Sequence, residues 1–246
     1  MQLVDISERD TISAVLITKN EEAFIERALE SLIWCDEIVV VDSGSTDQTR
    51  QICSKPGSNW EKKIKLIDHP WMGFSEQRNF AMEQAQSRWI FFLDGDEACS
   101  RELAQKILQV ISEPDRDSKN VEYKIHRQEF FLGKPIYHGI WNPSFHVRLF
   151  KKGSLKFIGN IHEGTTSQNR QEKINESIIH VEDLQIERFL NKLNSYTSIQ
   201  AQNDFNNGIR TNIPRILLSF PAMLYKNYIY YKAIHLRASS IRRGRL

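Results

Sequence analysis

Residues 89 to 100 read WIFFLDGDEACS, an apolar run from Trp89 to Leu93 that drives straight into Asp94, Gly95, Asp96 and Glu97. A short continuous apolar run bounded by polar residues is the pattern of a strand covered on both faces of a parallel sheet. Three carboxylates around one glycine repel one another strongly where water is scarce, so a positive partner is expected at the end of this strand.

The same scheme recurs upstream. ISAVLI at 12–17 ends in the polar TKNEE of 18–22, and Phe24, Ala28, Leu29 and Leu32 then follow at helical spacing over 24–33. In EIVVVDSGSTDQT, the run Ile38 to Val41 ends at Asp42, which opens a Ser/Gly/Thr loop suited to capping the next helix. Ile64 to Ile67 predicts a third strand; after His69, Pro70 and Gly73, a helix is expected over 75–86, with Arg78 and Asn79 near its start. Alternating strands and helices give an α/β fold, a mostly parallel central sheet with flanking helices, whose ligand crevice lies beyond the carboxyl ends of the strands. TKNEE, DSGSTD and DGDE all fall on that edge.

The second half changes character. A helix is expected over 101–111 and a polar loop at EPDRDSKN, followed by strands at 121–125, 146–150 and 155–157 that predict a mixed or antiparallel extension. IHEG at 161–164 leads to another strand at 177–181 and a helix over roughly 184–202. The expected organisation is one domain over 1–208, with a nucleotide-binding half at about 11–100 and an acceptor and catalytic half at about 101–208, then a helical tail at 209–246.

The 246 residues are 40% hydrophobic and 26% charged, an ordinary globular composition. Cys35, Cys53 and Cys99 have neither C-x-x-C nor finger spacing, so a disulfide framework and a structural zinc site are not expected and a reducing cytosol is. The opening MQLVDISERD has no basic stretch followed by an apolar core, and no secretory signal is read there. Formal net charge is only +2, yet it is segregated. No acidic residue follows Asp204, whereas Arg210, Arg215, Lys226, Lys232, Arg237, Arg242, Arg243 and Arg245 do.

Several chemistries place D-x-D after an apolar strand. A phosphatase using the first aspartate as nucleophile is disfavoured, because Asp94 stands on the fourth strand and Glu97-Ala98 follows. An EF-hand fails for want of its further ligands at the right spacing. Carboxylates capping a helix that starts at Arg101 are a purely structural alternative. The remaining reading is a divalent-metal and diphosphate site, with Mg²⁺ or Mn²⁺ held by one or two carboxylates plus phosphate oxygens.

TKNEE at 18–22, VVDSGSTDQT at 40–49, QRNFA at 77–81 and FFLDGDE at 91–97 together resemble the family 2 glycosyltransferases of the GT-A fold, in order and spacing. The segment FFLGKPIYHGIWNPSFHVRLFKKGSLKFIGNIHEG is similar to the bacterial branch that adds sugars to the lipopolysaccharide core. The resemblance spans about residues 11–200. It implies that Thr18, Asn20 and Glu21 lie where the nucleotide base is met, that Asp42 accepts the uracil N3–H, and that Arg78 lies near the nucleotide pocket. It implies further that Asp94 binds ribose or sugar hydroxyls and that Asp96 holds the metal bridging both phosphates, with Asp94 and His180 as further candidate ligands and His162 as another candidate for metal or phosphate contact.

An inverting transfer needs a carboxylate to take the acceptor hydroxyl's proton. Glu163 in IHEG is the candidate base and Asp183 in HVED the alternative. The Q-x-x-R-W signature of processive polymer synthases is absent from the sequence, so one sugar per encounter is expected. Arg148, Lys151 and Lys152 either bracket acceptor or diphosphate or form a strand-end cluster; Trp141 and Tyr137 either stack on acceptor sugars or pack. The tail, with aromatic and basic residues interrupted at Pro221, Lys226 and Asn227, is too short of apolar residues to span a bilayer and suits either an anionic membrane surface or packing on the domain. The expected protein is a cytoplasmic, peripheral, metal-dependent hexosyltransferase using a UDP-sugar and a lipid-linked or oligosaccharide acceptor, and not a nucleic-acid binder. The alternatives are a non-catalytic GT-A-like polyanion binder and a transferase for another envelope glycan.

Overall fold

Of the 246 residues, the computed structural model describes 10–113, 121–131, 133–138, 142–159, 164–167, 169–180 and 186–226. The chain divides into two compact units, Met1–Gln128 with Ser144–His180, and Glu129–Pro143 with Val181–Leu246.

In the first unit, β1 (Ile12–Thr18), β2 (Glu37–Asp42), β3 (Ile64–Asp68) and β4 (Trp89–Asp94) are parallel and lie in the order β3-β2-β1-β4. The helices α1 (Ile25–Glu30), α2 (Thr49–Cys53) and α3 (Phe74–Gln84) connect them. Every residue of β1 is buried, because alternate side chains enter two different cores. Ala14, Leu16, Val40, Phe91 and Leu93 join one with Ile25 and Leu29 of α1 and with Leu103 and Ile107 of α4 (Arg101–Ser112). Val15, Ile17, Val39, Val41, Ile90 and Phe92 join the other with Ala81 and Met82 of α3. Burying each large apolar side chain contributes about 1.5–3 kcal/mol, which is why these continuous runs fix the sheet.

α1 is shorter than its periodicity predicts. At Ser31 the hydroxyl folds back onto the Ala28 carbonyl, and the Leu32 and Cys35 N–H groups bond three residues back, tightening the chain into single turns. α4 is capped by the Ser100 hydroxyl, which accepts from the Leu103 N–H at 3.2 Å. The carboxylates of DGDE therefore do not cap that helix, and their crowding has another cause.

The sheet continues from β4 through antiparallel β8 (Ser144–Lys151), then β6 (Val121–Phe131), β11 (Arg170–His180) and finally β5 (Glu97–Cys99), which pairs antiparallel with β11. β5 was not expected from the sequence. Only Gly95 and Asp96 separate it from β4, yet it stands at the far end of the strand order. The sheet must therefore curl until its last strand returns beside the end of β4. A separate hairpin joins β9 (Phe157–Ile158) to β10 (Gly164–Thr165).

In the second unit, Phe130 and Phe131 pair with Pro135 and Lys134 of β7 (Lys134–Pro135), and the helices α5 (Ile186–Asn206) and α6 (Ile213–Leu224) follow. Ile213, Ile216, Leu217, Leu218 and Phe220 of α6 are exposed. No helix among the described residues is long and apolar enough to cross a membrane.

Candidate active site

β1 and β4 are neighbours, but the chain leaves β1 towards β2 on one side and reaches β4 on the other, which makes their carboxyl ends a topological switch point. The register sets Thr18 opposite Asp42 and Ile17 opposite Asp94. Three of the polar loops therefore emerge side by side.

The first two are zipped together. Asn20, in the left-handed region at φ 57°, donates its N–H to Ser45 Oγ (2.9 Å) and accepts from the Thr46 N–H at Oδ1 (2.8 Å). The Glu21 N–H donates to Thr49 Oγ1 (2.8 Å), and Glu22 exchanges bonds with Asp47 and the Gln48 N–H. Asp42 is fully buried; its carboxylate accepts from the N–H groups of Gly44 (3.2 Å) and Ser45 (2.9 Å), from the Ser45 hydroxyl, and from Arg50 at 3.5 Å. Its oxygens thus build the loop to which the resemblance assigns uracil reading.

Each side chain of QRNFA has its own partner. Gln77 donates to Ser43 Oγ (2.9 Å) and sits 3.0 Å from His69 Nδ1, whose ring stacks on Phe80 at 3.8 Å. Asn79 clamps the backbone of Phe157, donating to its carbonyl and accepting from its N–H, both at 2.9 Å. Ala81 is core. Arg78 lies over the rings of Phe92 and Phe157 and donates to Asp94 Oδ1 at 3.1 Å.

The positive partners expected beside the acidic turn stand at the end of β4. Asp94 Oδ2 accepts from Arg148 at 3.0 Å, and the same guanidinium donates to Glu97 Oε1 at 2.7 Å, with Arg127 at 3.5 Å. Glu97 Oε2 accepts the Asp94 N–H at 3.0 Å. Burial alone would push the Asp94 carboxyl up, but Arg148 and Arg78 outweigh it and hold it well below the usual carboxylate range. Burial pushes the Glu97 carboxyl up against the pull of Arg148. Two of the three carboxylates are thus balanced by arginines of the chain itself.

Asp96 is placed differently. Its Oδ2 lies 3.2 Å from His180 Nε2, and its backbone carbonyl accepts from Arg27 at 3.1 Å. A carboxylate oxygen and an imidazole nitrogen, with side chains 22% and 11% exposed, suit a divalent cation that completes its shell with diphosphate oxygens and water. No group of three or more His, Cys, Asp or Glu that could hold a metal occurs among the described residues. Asp94, whose oxygens each take an arginine, is set apart from that pair.

Glu163, Asp183, His162 and Trp141 lie outside the described residues. Tyr137 is exposed. Lys151 lies over the Trp89 ring and Lys152 donates to the Ala85 carbonyl, so both tie strand ends. Glu97, Arg127 and Arg148 are the residues that sequence reasoning missed as a group. The available signal was an arginine between Val147 and Leu149 on an apolar strand, where a charge needs a buried partner.

Comparison with known proteins gives the family. Residues 13–174 match the model of glycosyl transferase family 2. The lipopolysaccharide core biosynthesis glycosyltransferase LpsC of Rhizobium meliloti is 28% identical over 88% of this chain and 80% of its own length. An uncharacterized glycosyltransferase of Rickettsia bellii is 30% identical over 89% and 78%. The structure of Staphylococcus aureus TarS 1–349 in complex with UDP-GlcNAc superposes with a TM-score of 0.50 at 19% identity, covering 70% of this chain and 59% of that one, and the likeness concerns the GT-A fold alone. By the family match over most of its length, on a sheet that places the family's polar loops at one edge, the chain belongs to glycosyl transferase family 2.

Proposed function

We propose that the protein is an inverting, non-processive transferase that moves one hexose or heptose from a UDP-sugar to a saccharide acceptor, the core of lipopolysaccharide. The observation that carries this is the Asp96–His180 pair standing beside two arginine-bound carboxylates at the switch point of the sheet. A family 2 relative named for lipopolysaccharide core biosynthesis supports the acceptor class.

In this reading the loops of Thr18, Asn20, Glu21 and Asp42 hold the uridine. Asp94, steadied by Arg78 and Arg148, receives ribose or sugar hydroxyls. Asp96 and His180 would hold Mg²⁺ or Mn²⁺, which supplies neutralisation of the charge gathering on departing UDP. Glu163 takes the proton of the acceptor hydroxyl, with Asp183 as the alternative base. Residues 209–246 form an appendage that rests on anionic lipid at the inner face of the bacterial inner membrane, near a lipid-linked acceptor.

The test is UDP release by the full chain with a panel of UDP-sugars, Mg²⁺ or Mn²⁺, and a lipopolysaccharide core oligosaccharide. One donor should release UDP in a metal-dependent way and give a product of inverted anomeric configuration. Silence across the panel, or a retained configuration, sinks the reading. Glu163→Gln should keep donor binding and lose at least about 10²-fold in turnover. If Asp183→Asn collapses turnover instead, the base is Asp183.

A further inference from the structure

Glu97 makes three connections that meet at one turn. Its backbone is in register with His180 where β5 pairs with β11, and this register sets the preceding residue, Asp96, beside the histidine. Its Oε2 holds the Asp94 N–H at 3.0 Å, closing the turn Asp94-Gly95-Asp96 from within. Its Oε1 takes Arg148 at 2.7 Å, the guanidinium that also holds Asp94 Oδ2. Glu97 and Arg148 are buried, Arg127 adds a weaker contact at 3.5 Å, and nothing in the reaction as proposed uses any of the three directly.

We propose that Glu97 is a positioning residue for the Asp96–His180 pair, acting through the Asp94 N–H and Arg148 to fix the turn that aims Asp96 at the metal and diphosphate. The proposal rests on the metal-diphosphate reading of that pair. A carboxylate is suited to the task because it accepts from a backbone N–H on one oxygen and a guanidinium on the other, a pair of charge-assisted bonds that a neutral amide cannot match. Glutamine keeps the shape but sets an amide NH₂ against one of these donors. The turn loses a tether, while the loops after β1 and β2 keep the separate bonds of Asn20, Glu21 and Asp42.

The experiment compares wild type, Asp96→Asn, Glu97→Gln, Glu97→Asp and Arg148→Lys as full chains, with thermal melting to confirm folding. UDP binding is titrated calorimetrically without metal and across a Mn²⁺ series. In folded Glu97→Gln, metal-free UDP affinity should stay within about threefold of wild type, while the Mn²⁺ concentration for half-maximal enhancement rises at least about tenfold, the usual scale for groups that orient metal ligands. Glu97→Asp, which keeps the charge, should recover part of that loss. A merely structural role would lower both affinities together, and that outcome overturns the proposal. If Asp96→Asn loses the Mn²⁺ response but Glu97→Gln keeps it, positioning fails while the metal reading stands. If Asp96→Asn keeps the wild-type response, the metal reading fails and this proposal with it. If neither Glu97→Gln nor Arg148→Lys folds, the cluster is assigned to maintaining the fold, and the positioning role is rejected.

Discussion

A methyl group at Gly95 would be crowded by two side chains. A Cβ there would stand 3.0 Å from Thr18 Oγ1 and 3.1 Å from Glu21 Cγ, so the DGD turn and the loop after β1 touch through this position. That close approach, rather than an unusual backbone angle, is the reason for glycine between the two aspartates. Gly95→Ala should destabilise the protein by about 1–3 kcal/mol, the cost of inserting a carbon into a packed site, read from urea unfolding. Thr18→Ala in the same chain should return part of that loss, because it removes the nearest obstructing atom. A wild-type midpoint in the single variant would mean that the two loops can part freely. The buried thiols give a second check at this scale. Burial first, and then the Asp42 charge, push the Cys53 thiol up to about 12, and Cys35 and Cys99 are buried as well. At pH 8 a thiol of that pKa is roughly one part in 10⁴ thiolate, and burial shields all three from reagent, so they should resist a disulfide reagent in the native protein and react on denaturation.

At the level of elements, β9 is a two-residue strand whose hairpin with β10 is tied to α3 by side chains. Asn79 of α3 bonds both backbone groups of Phe157, and Ser75 bonds the Gly159 carbonyl. Asn79→Ala leaves a buried N–H and carbonyl without those bonds. The expected loss is about 1–3 kcal/mol of stability, with faster amide exchange at Phe157 than elsewhere in the sheet, measured by hydrogen exchange. An unchanged exchange rate there would show that the hairpin holds itself. The four parallel strands and α3 and α4 were legible in the sequence because apolar runs and helical spacing are local signals. That the polar segments of Thr18, Asn20, Glu21, Asp42, Asp94 and Asp96 share one sheet edge was legible from the ends of the apolar runs, whereas the roles given to them and to Arg78 of α3 came from the family resemblance. β5 was not legible, since three residues carry no periodicity and its pairing is decided by β11, far along the chain. Arg148 was expected, with Lys151 and Lys152, either to bracket acceptor or diphosphate or to form a strand-end cluster, and its carboxylate partners were hidden for the same reason. Its two carboxylate partners come from β4 and β5, which sequence order puts well upstream, and only the curl of the sheet joins them to it.

For the whole molecule, charge and apolar exposure coincide towards the carboxyl end. α6 exposes Ile213, Ile216, Leu217, Leu218 and Phe220, and the sequence beyond Asp204 has basic residues and no acidic ones. On the proposed interfacial role, each Lys or Arg near anionic lipid contributes about 1 kcal/mol, in part screened by salt. Full-length protein should therefore co-sediment with vesicles containing anionic lipid and bind less as salt rises. A chain cut after Gly208 should bind them weakly while retaining UDP affinity. Equal sedimentation of the folded truncation would refute the anchor, and loss of UDP binding would make the tail a packing element of the enzyme. The return of β5 to the end of β4 also sets a clock. As the chain leaves the ribosome, Asp94, Asp96 and Glu97 emerge long before Arg148, and Arg148 before His180. The parallel strands can assemble early, but the acidic turn must wait for β11, whose pairing closes a long loop and is slow for that reason. A nascent chain can thus fold the loops after β1 and β2 before its acidic turn is complete, and on the proposed function competence for sugar transfer arrives only with β11.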